Sequence, residues 1–175
     1  MEFKNTINIH NKFDFEVKDI RTGEITKKVT SYNILLNGVY SRLCALQTFF
    51  DNIAFGDGTG TQDPTRTTLF NQIASIAATT VEEVRDTTNN IYYRKRKVIL
   101  TPENYNGKTI TEVGIYGNGL NSHSLLKDSE GNSLSITKTA TDEITIYATV
   151  YFQLSGAYGG AVDFIRLPNN NAFLN

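Results

Sequence analysis

Apolar residues recur at every second position in several parts of this chain, and this period restricts the possible folds more than any other feature. Phe13, Phe15 and Val17 alternate with polar residues, as do the apolar residues of segment 3–9. Because successive side chains of a strand point to opposite faces, this spacing predicts strands with one buried face. A turn at residues 21–24 allows residues 25–29 to return as the second arm of a hairpin.

The C-terminal half repeats this strand pattern. Residues 91–100 form a clear strand candidate, and residues 109–116 predict a second one with a bulge near Gly114. The longest candidate, residues 143–154, is apolar on both faces, which is typical of a central strand or of a subunit contact. We therefore expect a mainly β chain that folds as an antiparallel, β-sandwich-like domain.

One segment changes to a helical period. Apolar residues recur at spacings of three and four between residues 31 and 50, and Ser31 is a suitable N-cap. This predicts one long amphipathic helix, about 31–50, packed across a sheet. The apolar positions that define it are Leu35, Val39, Leu43, Leu46 and Phe50. We also expect a strand at 52–55, an exposed loop at 56–64, a short helix at 65–73 and an extended segment at 74–83.

The last 21 residues differ from the rest of the chain. Residues 155–175 are rich in glycine and asparagine, yet they carry apolar side chains that favour burial. We divide the chain into a β-rich domain, 1–154, and a C-terminal segment, 155–175, that is either an arm ordering against a neighbouring subunit or a last strand of its own sheet. Its expected contact residues are Phe164, Ile165, Leu167, Phe173 and Leu174.

Composition narrows the classes of partner and the cellular setting. The formal net charge is -1, so the chain as a whole has no electrostatic reason to bind nucleic acid or an anionic membrane. A single cysteine, Cys44, excludes an internal disulfide and a multi-cysteine zinc site, and we expect it in the core. No signal peptide or membrane span is visible, which predicts folding in a reducing cytoplasm.

The glycine-rich loop that begins at Gly56 is the first candidate for chemistry. It lacks the Lys-Ser/Thr ending of a P-loop and the spacing of a dinucleotide fingerprint. Asp57 and Asp63 could offer oxygens to Ca²⁺, but the alternating ligand pattern of an EF-hand is absent. A plain surface turn is the favoured interpretation.

Only His10 and His123 can act as bases near neutral pH. His123 is flanked by Ser122 and Ser124, but neighbours on an extended chain point to opposite faces, so direct Ser–His contact is not expected. We interpret His123 as a solvated loop residue. The sequence predicts no catalytic, cofactor-binding or metal-binding residue and no enzymatic activity.

Four consecutive cations form the sharpest charge feature. On a strand they would alternate between the two faces, which suits an edge strand or a strand lying against acidic groups. A contact to an acidic subunit is the alternative that we retain. The expected assembly contacts therefore include Arg94, Lys95, Arg96 and Lys97 together with the five apolar tail residues.

Several short segments resemble a pattern in tail and fibre-attachment proteins of tailed bacteriophages. In those proteins a strand, a Gly/Thr loop and a Thr-Leu turn precede a β-rich body, and a bent strand, a hairpin and a closing strand follow. The resemblance covers roughly residues 3–154. Its matching segments are 3–19, 53–61 followed by Pro64 and 65–69, 110–116, 125–128 and 143–152.

This resemblance implies a non-catalytic virion protein, located near the tail, collar or baseplate and assembled in the host bacterial cytoplasm. It implies a ring or trimer of this chain that contacts other virion proteins as a connector, collar, tail or fibre-attachment adaptor. The alternative is a carbohydrate- or receptor-binding β-sandwich. Its candidate aromatic platforms are Tyr92, Tyr93, Tyr105, Tyr116 and Tyr158.

Overall fold

The computed structural model describes residues 6–155, and within this range the chain is mainly β. One short helix, α1, spans Gly38–Cys44. The strands in chain order are β1 Thr6–Asp19, β2 Ile25–Tyr32, β3 Ile34–Leu35, β4 Asn52–Gly56, β5 Gln72–Ala77, β6 Thr79–Asp86, β7 Ile91–Leu100, β8 Thr109–Ile110, β9 Glu112–Gly117, β10 Gly119–Leu125, β11 Ile136–Thr137 and β12 Asp142–Ser155.

Two five-stranded antiparallel sheets make up the body. The first sheet has the order β2-β1-β12-β7-β6, and the second has the order β3-β10-β9-β4-β5. A small pair, β8 with β11, lies apart from both sheets. One buried apolar cluster contains side chains from both five-stranded sheets, so the sheets pack face to face. The prediction of an antiparallel, sandwich-like β fold is confirmed.

The long pair of β1 and β12 forms the middle of the first sheet. Their register runs from Thr6 opposite Ser155 to Asp19 opposite Asp142 without a break. Phe13 and Phe15 of β1 point into the core, and the residues opposite them on β12 are buried there as well. The strand predicted to be apolar on both faces is thus a central one, bonded to β1 on one side and to β7 on the other.

The long helix predicted for residues 31–50 is wrong. Ser31 belongs to β2, where its buried hydroxyl lies 2.7 Å from that of Ser124, and only Gly38–Cys44 is helical. The apolar stripe is divided because its members pack in different places: Leu36 joins a small cluster on the outer face of the second sheet, while Phe50 joins the main core. Leu46 is 50% exposed and adopts a positive φ of 54° just after α1.

Other local predictions had mixed outcomes. Strands at 25–29, 52–55 and 91–100 and the extended segment at 74–83 are confirmed. The helix at 65–73 is wrong, because turns lead directly into β5. Cys44 is exposed rather than in the core. Pairing is continuous at Gly114, and the irregularity of this hairpin lies instead in β10, between Leu120 and Ser122.

The predicted C-terminal arm or last strand lies outside the described residues, apart from the end of β12. The same holds for the expected contacts of the tail, so the division at residue 154 stays a prediction. Among residues 6–155, no helix combines the length and the apolar character needed to cross a bilayer. The tail residues concerned are Phe164, Ile165, Leu167, Phe173 and Leu174.

The packed interface between the sheets should dominate stability. Phe15→Ala removes a side chain that is 1% exposed and should lower the free energy of unfolding by about 3–5 kcal/mol, because it leaves a cavity between the sheets. Ile7→Ala, on the same strand but 51% exposed, is the control and should change it by less than about 1 kcal/mol. Urea unfolding of both variants tests this, and equal losses would contradict the assigned core.

Candidate functional site

A buried acid–base pair lies at the centre of the second sheet. Glu112, the first residue of β9, and His123 of β10 are both 0% exposed, and Glu112 Oε2 lies 2.9 Å from His123 Nε2. In the β9–β10 register His123 faces Gly114, which makes Glu112 and His123 diagonal neighbours on one face of the hairpin. The pair lies on the outer face of the sheet, beneath the loop of residues 57–71.

The Glu112 carboxylate also binds the backbone at both ends of that loop. Oε1 accepts hydrogen bonds from the amides of Gly58 at 3.2 Å and Asn71 at 2.8 Å, and Oε2 accepts one from Phe70 at 2.9 Å. A buried carboxylate needs such donors, because losing its hydration without replacement costs on the order of several kcal/mol. One side chain therefore holds together the beginning and the end of loop 57–71.

This contact explains the first two glycines of the Gly-rich motif. A Cβ at Gly58 would lie 2.5 Å from Glu112 Oε1 and 2.3 Å from the Cβ of Phe70. A Cβ at Gly56 would lie 2.2 Å from the carbonyl oxygen of Asn71. Both positions must therefore be glycine for the loop to close over the carboxylate. These glycines serve contacts within the chain.

The surroundings of Glu112 favour its ionised form. Burial is the largest single influence and opposes ionisation, but the hydrogen bond from His123, the amides of Asn71 and Phe70 and the attraction of the imidazole together outweigh it. The pKa of Glu112 is consequently held below its ordinary value of 4.5. The carboxylate stays charged at neutral pH and continues to accept the loop amides.

His123 is enclosed by the same loop, so the prediction that it is a solvated loop residue is wrong. The Phe70 ring packs edge-on against the imidazole with centroids 5.3 Å apart, and Gln62 Nε2 donates to the His123 carbonyl at 2.8 Å. His123 Nδ1 is buried and has no hydrogen-bond partner among the described residues. A carboxylate beside an imidazole can act as a general base, but here neither group reaches the surface.

The two serines beside His123 point the other way, as the sequence predicts. Ser124 Oγ lies 2.7 Å from Ser31 Oγ, and Ser122 Oγ accepts a hydrogen bond from Asn11 Nδ2 at 3.3 Å. Both partners belong to the first sheet and its edge. The serines thus join the two sheets, while the imidazole faces the opposite side of β10.

The two aspartates considered as possible Ca²⁺ ligands make hydrogen bonds within the loop. Asp57 Oδ1 accepts from Asn71 Nδ2 at 2.6 Å, and Asp63 Oδ1 binds the amide and hydroxyl of Thr65 at 2.7 Å. Within residues 6–155, no group of three or more His, Cys, Asp or Glu side chains is placed to hold a metal. These aspartates shape turns.

The basic run lies on β7, between β12 and β6, so the interpretation as an edge strand is wrong. The acidic neighbours are confirmed: Arg94 pairs with Glu83 of β6 at 2.9 Å, and Glu82 stands opposite Lys95. Arg96 binds the Phe50 carbonyl. Arg94 and Arg96 thus make contacts within the chain.

The side chains of Lys95 and Lys97 point to the outer face of the first sheet, whereas those of Arg94 and Arg96 point to its inner face. The ammonium group of Lys95 sits 4.4 Å from the ring centroid of Tyr147, a cation–π distance. The role of the four cations in assembly stays a prediction. Of the four, only these two lysines point away from the core.

An aromatic cluster occupies the same outer face. His10 stacks on Tyr151 with centroids 4.7 Å apart, and Tyr93 lies 5.5 Å from Tyr151. Tyr93 is the only predicted platform residue in this cluster. Three of the other candidates make contacts elsewhere in the chain: Tyr92 with Glu83, Tyr105 with Phe55 and Tyr116 with Leu69. The fourth, Tyr158, lies outside the described residues.

Comparison with known proteins leaves the family resemblance unsupported. No family model matches the chain, and neither a curated protein nor a solved structure does. The virion setting therefore rests on the sequence segments alone.

Glu112→Gln should release the loop. The amide oxygen can accept from fewer backbone donors and carries no charge for His123, so we expect a loss of about 3 kcal/mol in the free energy of unfolding at neutral pH. Amide hydrogen exchange should rise at Gly58, Phe70 and Asn71. Glu24→Gln, in an exposed turn, is the matched control and should change neither quantity.

The difference between wild type and Glu112→Gln should depend on pH. Because the pKa of Glu112 is lower in the folded chain than the ordinary 4.5, its ionised form adds stability that is fully present above that value. This contribution is lost as pH falls through the lowered pKa, so the two unfolding free energies should converge in acid. A constant difference down to the acid-unfolding range would contradict the assigned role.

Proposed function

We propose that this protein is a non-enzymatic structural subunit that acts through subunit–subunit contacts. The observation that carries this proposal is the buried Glu112 carboxylate, which binds both ends of loop 57–71 and gives an exposed loop a defined shape. A surface that is ordered before binding loses little conformational entropy when a partner docks. This arrangement suits a protein whose task is recognition by shape.

The virion setting is the second part of the proposal. The segments that resemble phage tail and fibre-attachment proteins fall within a β-sandwich, and the glycine loop among them is the one closed by Glu112. We propose a connector, collar, tail or fibre-attachment adaptor that contacts itself and other virion proteins. Assembly would take place in the host bacterial cytoplasm.

Two measurements test this proposal. Analytical ultracentrifugation of the full chain over a wide concentration range should show association, and mass spectrometry of purified phage particles whose genome encodes the chain should detect it as a constituent. A chain that stays monomeric at the highest concentration and when mixed with the other particle proteins would contradict the assembly role. Its absence from the particles would contradict the virion setting.

A carbohydrate-binding role is the second candidate, favoured by the cluster of His10, Tyr93 and Tyr151. Aromatic rings on an open sheet face can stack against sugar rings. A glycan array should then show a ligand that Tyr151→Ala abolishes, while Tyr40→Ala, at a 57% exposed tyrosine on α1, leaves it unchanged. If the wild type binds no glycan, this candidate is removed.

A further inference from the structure

The sandwich has four edge strands, and they differ in how they oppose pairing with another chain. The first sheet ends in β2 and β6, and the second ends in β3 and β5. Edge strands expose unpaired backbone donors and acceptors, so proteins commonly protect them with charges, bulges or short length. An edge without protection is therefore a candidate for strand pairing with another subunit.

Three of the four edges carry such protection. Strand β2 contains Lys27 and Lys28. Strand β6 contains Glu82 and Glu83, and its pairing shifts register between Thr80 and Glu82. Strand β3 is only two residues long. Each of these features weakens or shortens the ladder that a second chain could form.

Strand β5 differs from these edges in charge and length, and its register shift against β4 is confined to its start, between Gln72 and Ala74. All six residues are uncharged and none is proline: Gln72, Ile73, Ala74, Ser75, Ile76 and Ala77. The strand is held by β4, with Ile76 opposite Ile53 and Ala74 opposite Phe55, and the pairing is regular from Ala74 to Ala77. It therefore presents a regular edge whose backbone groups are fixed in place.

The side chains of β5 are suited to a further strand. Gln72, Ser75 and Ala77 are exposed, while Ile73, Ala74 and Ile76 are half-buried against the main core. A strand added at this edge would cover the remaining apolar surface of Ile73 and Ile76. Burial of apolar area would then add to the new backbone hydrogen bonds.

We propose that β5 of one copy pairs antiparallel with β5 of a second copy about a two-fold axis. The second sheets of the two copies, with five strands each, would join into one continuous sheet of ten strands. This inference rests on the proposed role in subunit contacts. It names β5 as the contact surface and a second copy of the chain as the partner.

Charge favours β5 over the other long edges for a contact between two copies. In a two-fold interface the same patch meets itself, so a charged edge meets its own like charge. Such pairing would set β2, with its two lysines, against its own positive charge. It would set β6, with three acidic residues and one arginine, against its own net negative charge. Like charges opposite one another on paired strands are destabilising, and among the longer edges β5 alone avoids them.

The symmetry of this contact has a consequence for the assembly. A two-fold contact closes on itself, so the smallest unit is a dimer and larger particles contain even numbers of chains. A ring can be built from such dimers, whereas a bare trimer cannot. Native mass measurement distinguishes these cases directly.

A charge placed on β5 tests the contact. Ser75→Lys in the full chain brings two ammonium groups close together across the two-fold axis, and the dimer dissociation constant should rise by at least about tenfold. Ser129→Lys makes the same change in the exposed turn between β10 and β11 and should leave the constant unchanged. Ala77→Lys, also exposed, provides a second variant on β5 that leaves the Ser75 hydroxyl in place.

Mixing two variants of opposite charge distinguishes a loss of strand pairing from misfolding. Ser75→Lys and Ser75→Glu should each be mainly monomeric, and an equimolar mixture should form the heterodimer, because the two charges then attract. Urea unfolding should show that each variant is folded. Hydrogen exchange of the β5 amides should slow as the wild-type concentration rises.

The outcomes separate this inference from the proposed function. If the wild type assembles and Ser75→Lys assembles equally well, pairing through β5 is wrong while the assembly role stands. A trimer, or β5 amides that are protected equally at all concentrations, would also overturn the pairing. A wild type that is monomeric throughout would overturn both.

Discussion

A single carboxylate determines how the outer face of the second sheet is organised. Glu112 is fully buried, so its charge must be satisfied by the chain, and the donors come from His123 and from both ends of loop 57–71. These donors are distant in sequence but adjacent in space, which couples the hairpin β9–β10 to the loop. The loop cannot move away from the sheet without leaving a buried charge unpaired, and that penalty keeps the surface in one shape.

The glycine-rich motif has the same physical origin. Backbone amides near glycines are commonly used to bind anions, and here the anion is supplied by the protein itself. The close approach of Gly58 to Glu112 leaves no room for a side chain. A pattern that suggests phosphate binding in the sequence therefore serves an internal contact. The buried imidazole completes this arrangement, and the edge-on Phe70 ring covers it.

Local patterns predicted the strands but not the long-range contacts. The alternation of Phe13 and Phe15 depends only on near neighbours, and it gave β1 correctly. The prediction of a helix at 31–50 was wrong because Ser31 pairs with Ser124, a partner 93 positions away. The spacing of apolar residues within a segment contains no information about such a distant contact. The Glu112–His123 pair left no such signal in the sequence: aligning the strands from Gly117 and Gly119 sets His123 on the face opposite to Glu112. Only the register shift between Leu120 and Ser122 brings His123 opposite Gly114 and onto the face of Glu112.

The distribution of charge over the sandwich edges determines which edge the proposed pairing of subunits can use. Because β5 continues into β6 and β2 into β3, with one residue between the strands in each case, each open side of the sandwich is formed by two consecutive strands. On one side both strands are protected, one by lysines and one by its short length. On the other side β6 carries the charges, whereas β5 is uncharged. In the proposed two-fold contact, the charges of β6 limit pairing to the second sheet, because only β5 is uncharged on that side. Loop 57–71, which covers the outer face of the second sheet, would then remain available for the other subunits that we propose.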